Sequence, residues 1–278
     1  MLQSDHDELC TNQNRVSHKM NRNLKIITGF LLLFVLYHAA EYFVLFQNNP
    51  IAFLIVQVIF FITAWLIARW QKFKGFSAWG MDTGRNWFKT LLSGMLMGVV
   101  LYLLPYLAGL ALGSEVITYI PRPGIIFPQL ALFCSGVFFS SFSEDILTRG
   151  YLFKHLGDKL PPIVFVFISA AVYLLNHIYR LTSGWETCTY LFMLGVLFAI
   201  PLVLTRRLWF TGGMHWIGNT VFYLTHNIIS TKTVDGHLAP NSIFIICIVV
   251  LIPVVVWVIR FFRQTLQFHS ETETVPTR

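Results

Sequence analysis

A chain of 278 residues that is 55% hydrophobic and only 12% charged is too apolar for an ordinary soluble domain, which carries roughly twice that charge. Its net charge of +7 does not point to nucleic acid, because the basic residues gather at the ends of apolar runs, as they do in membrane proteins. The cysteines Cys10, Cys134, Cys188 and Cys247 form no CxxC pair, so neither a disulfide framework nor a zinc knuckle is indicated.

Residues 1–23 are polar and read as a cytoplasmic tail. Its His-Asp-Glu-Leu at 6–9 is a coincidence, since that retention signal is read only at a C-terminus. The first apolar run, 24–46, is too long for a signal-peptide core and reads as a retained anchor. His38 and Glu41 inside it are assigned to helix packing or rim polarity. A second run covers 51–68. The segment Trp70 to Asn86 that follows is aromatic, basic and glycine-containing. It reads as an interfacial linker with aromatic anchors, with a substrate-docking surface as the alternative.

Further runs cover 88–112, 126–156, 161–180, 188–204, 207–228 and 241–262. Each is close to the roughly 20 residues that cross about 30 Å of hydrocarbon. The run 126–156 is longer than that, so its later turns are expected to emerge into the headgroups. His226, Asn227 and His237 read as outer-loop polarity, and 265–278 as a polar tail. With no internal repeat and short connections, the fold class is all-α: one transmembrane domain, 24–264, of about eight helices. With a cytoplasmic N-terminus, only Arg122, Arg180 and Lys232 of the 20 Lys and Arg residues fall on the outer side. That asymmetry predicts a multi-pass protein of the cell membrane with both termini cytoplasmic.

Chemistry is sought where polarity is expensive, since an ionisable residue at mid-span costs about 2.5–3.5 kcal/mol even on mild insertion scales. Glu144, Asp145 and Arg149 interrupt the fourth run, Tyr173 and His177 the fifth, and His215 and Asn219 the seventh. Asp145 and Arg149 are four residues apart and can pair on one helix face; the same spacing relates Tyr173 to His177 and His215 to Asn219. Gly157 and Pro161-Pro162 mark a reversal between the fourth and fifth runs, because proline suits a helix start. Glu144 and His177 are nearly equidistant from it, so an antiparallel hairpin brings them to one depth.

The acidic pair with arginine, then aromatic-xxx-His, then HxxxN, in that order on separate spans, resembles the CAAX prenyl protease and bacteriocin-processing family. Its pattern is EExxxR, FxxxH and HxxxN, and the likeness covers roughly residues 80–225. The chain departs from it at Asp145, where the family usually has glutamate, and at Tyr173, where it has phenylalanine. The resemblance implies an intramembrane endopeptidase with a site of Glu144, Asp145, Arg149, His177, His215 and Asn219. In it Glu144 activates water, His177 assists, and His215 and Asn219 stabilise the oxyanion. The implied partners are the lipid bilayer and a membrane-associated peptide or protein substrate, with no cofactor and no nucleic acid.

General chemistry agrees with that division, since peptide hydrolysis needs a base beside a water and donors aimed at the developing oxyanion. No HExxH segment is present, so a zincin site is unsupported. Zinc held by Glu144, His177 and His215 stays open, as does a catalytically silent scaffold or immunity protein that binds a peptide in the same pocket. A transporter would call for inverted repeats and broken helices, which the sequence does not display.

Overall fold

A computed structural model describes residues 2–261, with side chains from residue 22 onward. The C-terminal tail expected at 265–278 and the side chain of Cys10 therefore lie outside the described residues. By its internal contacts the chain divides into two units, Met1–Ala78 and Trp79–Arg278.

The first unit is a helical hairpin. Helix α1 spans Leu2–Leu45, so the polar N-terminal stretch runs into the same helix as the apolar segment Arg22–Leu45. Helix α2 spans Pro50–Trp70. Its start is fixed by proline in the first turn and by Asn49, whose side chain accepts from the Ala52 amide at 3.0 Å, relieving one of the unpaired donors of a helix start. Leu33, Tyr37 and Ala40 on α1 and Phe60 and Ala64 on α2 are buried. His38 is buried too, with Nδ1 donating to the Phe34 carbonyl at 2.8 Å, a packing role as expected.

In the second unit α3 spans Trp87–Ala111, α4 Pro123–Asp145, α5 Tyr151–Leu156, α6 Pro162–Asn176, α7 Trp185–Thr205, α8 Trp209–Tyr223 and α9 Pro240–Phe261. Between α4 and α5 the chain makes a π turn, Ile146–Gly150, and the three pieces form one 34-residue helical rod, Pro123–Leu156. A second π turn, Leu224–Ile228, extends α8. Helices α3 and α8 pack closely because glycines face backbone. A Cβ at Gly94 or Gly98 would strike the carbonyls of Phe210 or Met214, and one at Gly213 would meet the Leu91 carbonyl at 2.5 Å. This is how membrane helices gain packing without a hydrophobic drive between them. Helix α4 is held to α8 by a stacked pair, Phe133 and Tyr223 with centroids 3.7 Å apart, and by the Trp216 indole, which donates to the Cys134 carbonyl at 2.8 Å. The other flank of α4 exposes Phe127 and Leu132, as a lipid-facing surface would.

Among the described residues, six helices are long and apolar enough to cross a membrane. The expected spans at 161–180 and 207–228 are shorter than the sequence suggests. Helix α6 has 15 residues and ends at Asn176, because His177 leaves the helical conformation (φ −84°, ψ 51°). Helix α8 also has 15 residues before its π turn. One further feature was not expected. Strand β1, Glu115–Tyr119, pairs antiparallel with β2, Ser230–Thr233, joining the α3–α4 and α8–α9 connections.

The start of this unit supports the helices from below the site. Trp79 is fully buried, 5.0 Å from the Tyr151 ring. The Leu208 amide donates to the Gly80 carbonyl at 2.8 Å, and the Trp209 indole to the Asp82 carbonyl at 2.6 Å. Arg207 reaches the Asp82 carboxylate at 3.2 Å and the Arg85 carbonyl at 2.9 Å. The part of the linker from Trp79 to Arg85 is thus a clamp on the α7–α8 turn.

Candidate active site

The last turn of α4 and the π turn after it are buried without interruption from Ser141 to Gly150. A π turn widens the helix by one residue and often accompanies functional sites. Here it is backed by Trp79, whose carbonyl would lie 2.6 Å from a Cβ on Gly150. The Thr148 hydroxyl is turned inward to the Glu144 carbonyl at 2.8 Å.

Asp145 pairs with Arg149 through Oδ1, as the spacing predicts. The same oxygen lies 3.2 Å from His215 Nδ1, a second partner that the sequence did not disclose. Arg149 is fully buried. Its Nη1 also donates to Thr148 Oγ1 at 3.2 Å, while Nε and Nη2 have no hydrogen-bond acceptor. Aromatic faces take that place: Cζ lies 4.5 Å from the Tyr173 ring and 5.0 Å from the Phe198 ring. Such contacts are favourable for a desolvated guanidinium. The aromatic of the Tyr-xxx-His motif therefore serves the arginine of the acidic motif.

Glu144 is 5% exposed, and three side chains from two other helical segments address it. Its Oε1 accepts from Asn176 Nδ2 at 3.1 Å and lies 3.7 Å from His177 Nδ1. Its Oε2 lies 3.5 Å from His215 Nε2. His177 Nδ1 is 2.8 Å from the Tyr173 carbonyl. A carbonyl only accepts, so this nitrogen carries the hydrogen and Nε2 of the neutral ring is the free acceptor. The hairpin thus brings Glu144 and His177 to one depth, as expected. His177, however, stands just beyond the end of α6, where Tyr173 and His177 were expected to share one continuous helix.

His215 is 2% exposed, with its ring 4.8 Å from that of Phe198. Asn219 is one turn further along α8. Its Nδ2 donates to Ser141 Oγ at 3.4 Å, and its Oδ1 accepts from Tyr102 of α3 at 3.5 Å. Five of the six sequence-derived residues therefore form one contact network, and Asn219 adjoins it through Ser141, three residues before Glu144. Asn176, Ser141, Tyr102 and Phe198 were missed. Asn176 gave a signal, being a polar residue beside His177 in an apolar run. Tyr102 and Phe198 gave none. Among the described residues no group of three or more His, Cys, Asp or Glu side chains is placed to hold a metal ion, the Glu144, His177 and His215 set included.

Such a site can do hydrolytic chemistry. It joins a buried carboxylate, an imidazole acceptor, and imidazole and amide donors within one polar cluster in an apolar bundle. Residues 126–221 match the model of the Rce1-like family, described as type II CAAX prenyl endopeptidase Rce1-like. No curated protein matches the chain. The matched stretch runs from α4 into α8 and contains all six sequence-derived site residues, and it supports placing this multi-pass membrane protein in the CAAX protease and bacteriocin-processing family.

Proposed function

We propose that the chain hydrolyses a peptide bond within a membrane-associated peptide or protein, with Glu144 as the base. The observation that carries this reading is the set of contacts to one buried carboxylate: Asn176 at 3.1 Å, His215 at 3.5 Å and His177 at 3.7 Å. In the proposed cycle Glu144 takes a proton from water as the water oxygen attacks the scissile carbonyl carbon. His177 Nε2 shares that proton. His215, carrying a hydrogen on both nitrogens so that Nδ1 stays on Asp145, donates from Nε2 to the oxyanion together with Asn219, and Glu144 returns the proton to the departing amide nitrogen. Asp145 and Arg149 hold His215 and the π turn in place. The family description names prenyl substrates, so a farnesylated peptide ending in a CAAX sequence is one probe and its unlipidated counterpart is the other.

The deciding experiment is comparative peptidomics of membranes containing the wild-type protein or Glu144→Gln. Peptides released only by wild type are expected. Identical peptide sets, together with no cleavage of either probe, would leave a scaffold in place of an enzyme. We also infer that 24–264 acts as one membrane domain with its peptidase core near 80–225, and that both termini face the cytoplasm. Reporter fusions at each end test the orientation, and an extracytoplasmic signal from either one overturns it.

A further inference from the structure

We propose that Asn176, which occupies an unspecified position of the aromatic-xxx-His motif, is a positioning residue for Glu144; the inference rests on the reading of Glu144 as the base. Asn176 is 3% exposed, and a buried amide is costly unless it is hydrogen-bonded. Its Nδ2 is 3.1 Å from Glu144 Oε1. That is closer than either histidine, at 3.7 Å and 3.5 Å, and those two separations exceed the usual hydrogen-bond range.

The backbone explains how two adjacent residues reach one carboxylate. On a continuous helix Asn176 and His177 would diverge by about 100°. Helix α6 stops between them, with Asn176 as its last residue and the His177 amide donating to the Leu174 carbonyl at 3.0 Å. Both side chains then address Oε1, which leaves Oε2 toward His215.

The chemistry suits an amide. A lysine or arginine here would neutralise the base, whereas a neutral donor orients the carboxylate and leaves its charge. His177 exchanges a proton during turnover in the proposed cycle. Asn176 does not titrate, so its hold on Oε1 persists through every step.

The test uses the full-length protein in lipid nanodiscs. One readout is the infrared carboxyl stretch of Glu144, assigned by its loss in Glu144→Gln. The other is cleavage of the farnesylated and unlipidated probes. Asn176→Ala should shift the Glu144 band and lower kcat by about 10–100-fold with little change in KM, the scale of a reacting group misplaced by about 1 Å. Asn176→Gln, which keeps a donor, should recover part of both. If Asn176→Ala fails to accumulate, Asn176→Leu keeps much of the volume without a donor and carries the same test. A Glu144 band that does not move, or a wild-type kcat in a variant that lacks the amide, overturns the proposal. If wild type cleaves neither probe and releases no peptides while the band still shifts, the positioning stands and the peptidase reading falls.

Discussion

Among the described residues two buried glutamates, Glu144 and Glu115, meet histidines close to a π turn, and the two contacts are built for different ends. At the candidate site the Asn176 amide of α6 donates to Glu144, and His177 after α6 and His215 of α8 face its two oxygens. At the other, Glu115 of β1 meets His226 Nε2 at 3.3 Å. His226 sits in the second π turn, stacked on Phe222 at 4.5 Å with the Tyr106 ring 5.5 Å away, and Nδ1 lies 2.8 Å from Thr225 Oγ1. A Cβ on Gly109 would strike the second carboxylate oxygen of Glu115, so that oxygen lies against helix backbone. This pair joins the two connections that β1 and β2 also join, helped by Tyr106 and Thr231 at 3.3 Å. A carboxylate beside an imidazole is thus a strap when rings and backbone surround it. It becomes a candidate reaction centre when an amide donor and two imidazoles face its two oxygens.

The comparison is broken most directly by removing each pair. Glu144→Gln, His177→Ala and His215→Ala should each lower cleavage by about 10²–10⁴-fold, with the proteins still accumulating in membranes by immunoblot. Glu115→Gln and His226→Ala should stay within a few-fold of wild type. Equal losses at both pairs would erase the distinction.

Asp145→Asn is the next largest change. It leaves the fully buried Arg149 without its counter-charge, a loss of about 3–5 kcal/mol that thermal unfolding should register alongside lower activity. Asp145→Glu should keep most of both. An Asp145→Asn protein that is fully stable yet dead, beside an active Glu144→Asp, would exchange the roles of the two acids.

Asn219→Ala should reduce kcat by about 10²–10³-fold, as for a single oxyanion donor, and unfold near the wild-type temperature. Gly150→Ala tests the backing of the π turn: the new methyl would meet the Trp79 carbonyl at 2.6 Å, at a cost of about 1–3 kcal/mol in thermal unfolding. His226→Ala should cost least, about 1 kcal/mol or less.

These two regions were not equally legible in the sequence. Glu144, His177 and His215 could be grouped because helical spacing and one hairpin turn fix their depths. Glu115 and His226 are joined by a sheet between distant connections, and no periodicity announces such a pairing. The Asp145–Arg149 spacing suits an α-helix and so concealed the π turn, because the residue it adds leaves the four-residue pairing intact. The end of α6 was hidden for a related reason. Leu174 and Leu175 continue the apolar run, while the break is set by the His177 backbone and by side chains that address Glu144 from another helix.

The shortness of α6 also bears on bilayer thickness. Its 15 residues reach about 22 Å against roughly 30 Å of hydrocarbon. A span that falls short is met by local thinning of the bilayer or by its flanking residues. The residues that follow α6 include exposed Arg180, Thr182 and Ser183 beside exposed Ile178 and Leu181, so polar side chains come within a few residues of His177. Water is the second reactant of the proposed hydrolysis, and the end of α6 beside His177 is where that proposal has it enter. Turnover should therefore depend on acyl-chain length, falling as the host bilayer is made thicker around the end of α6.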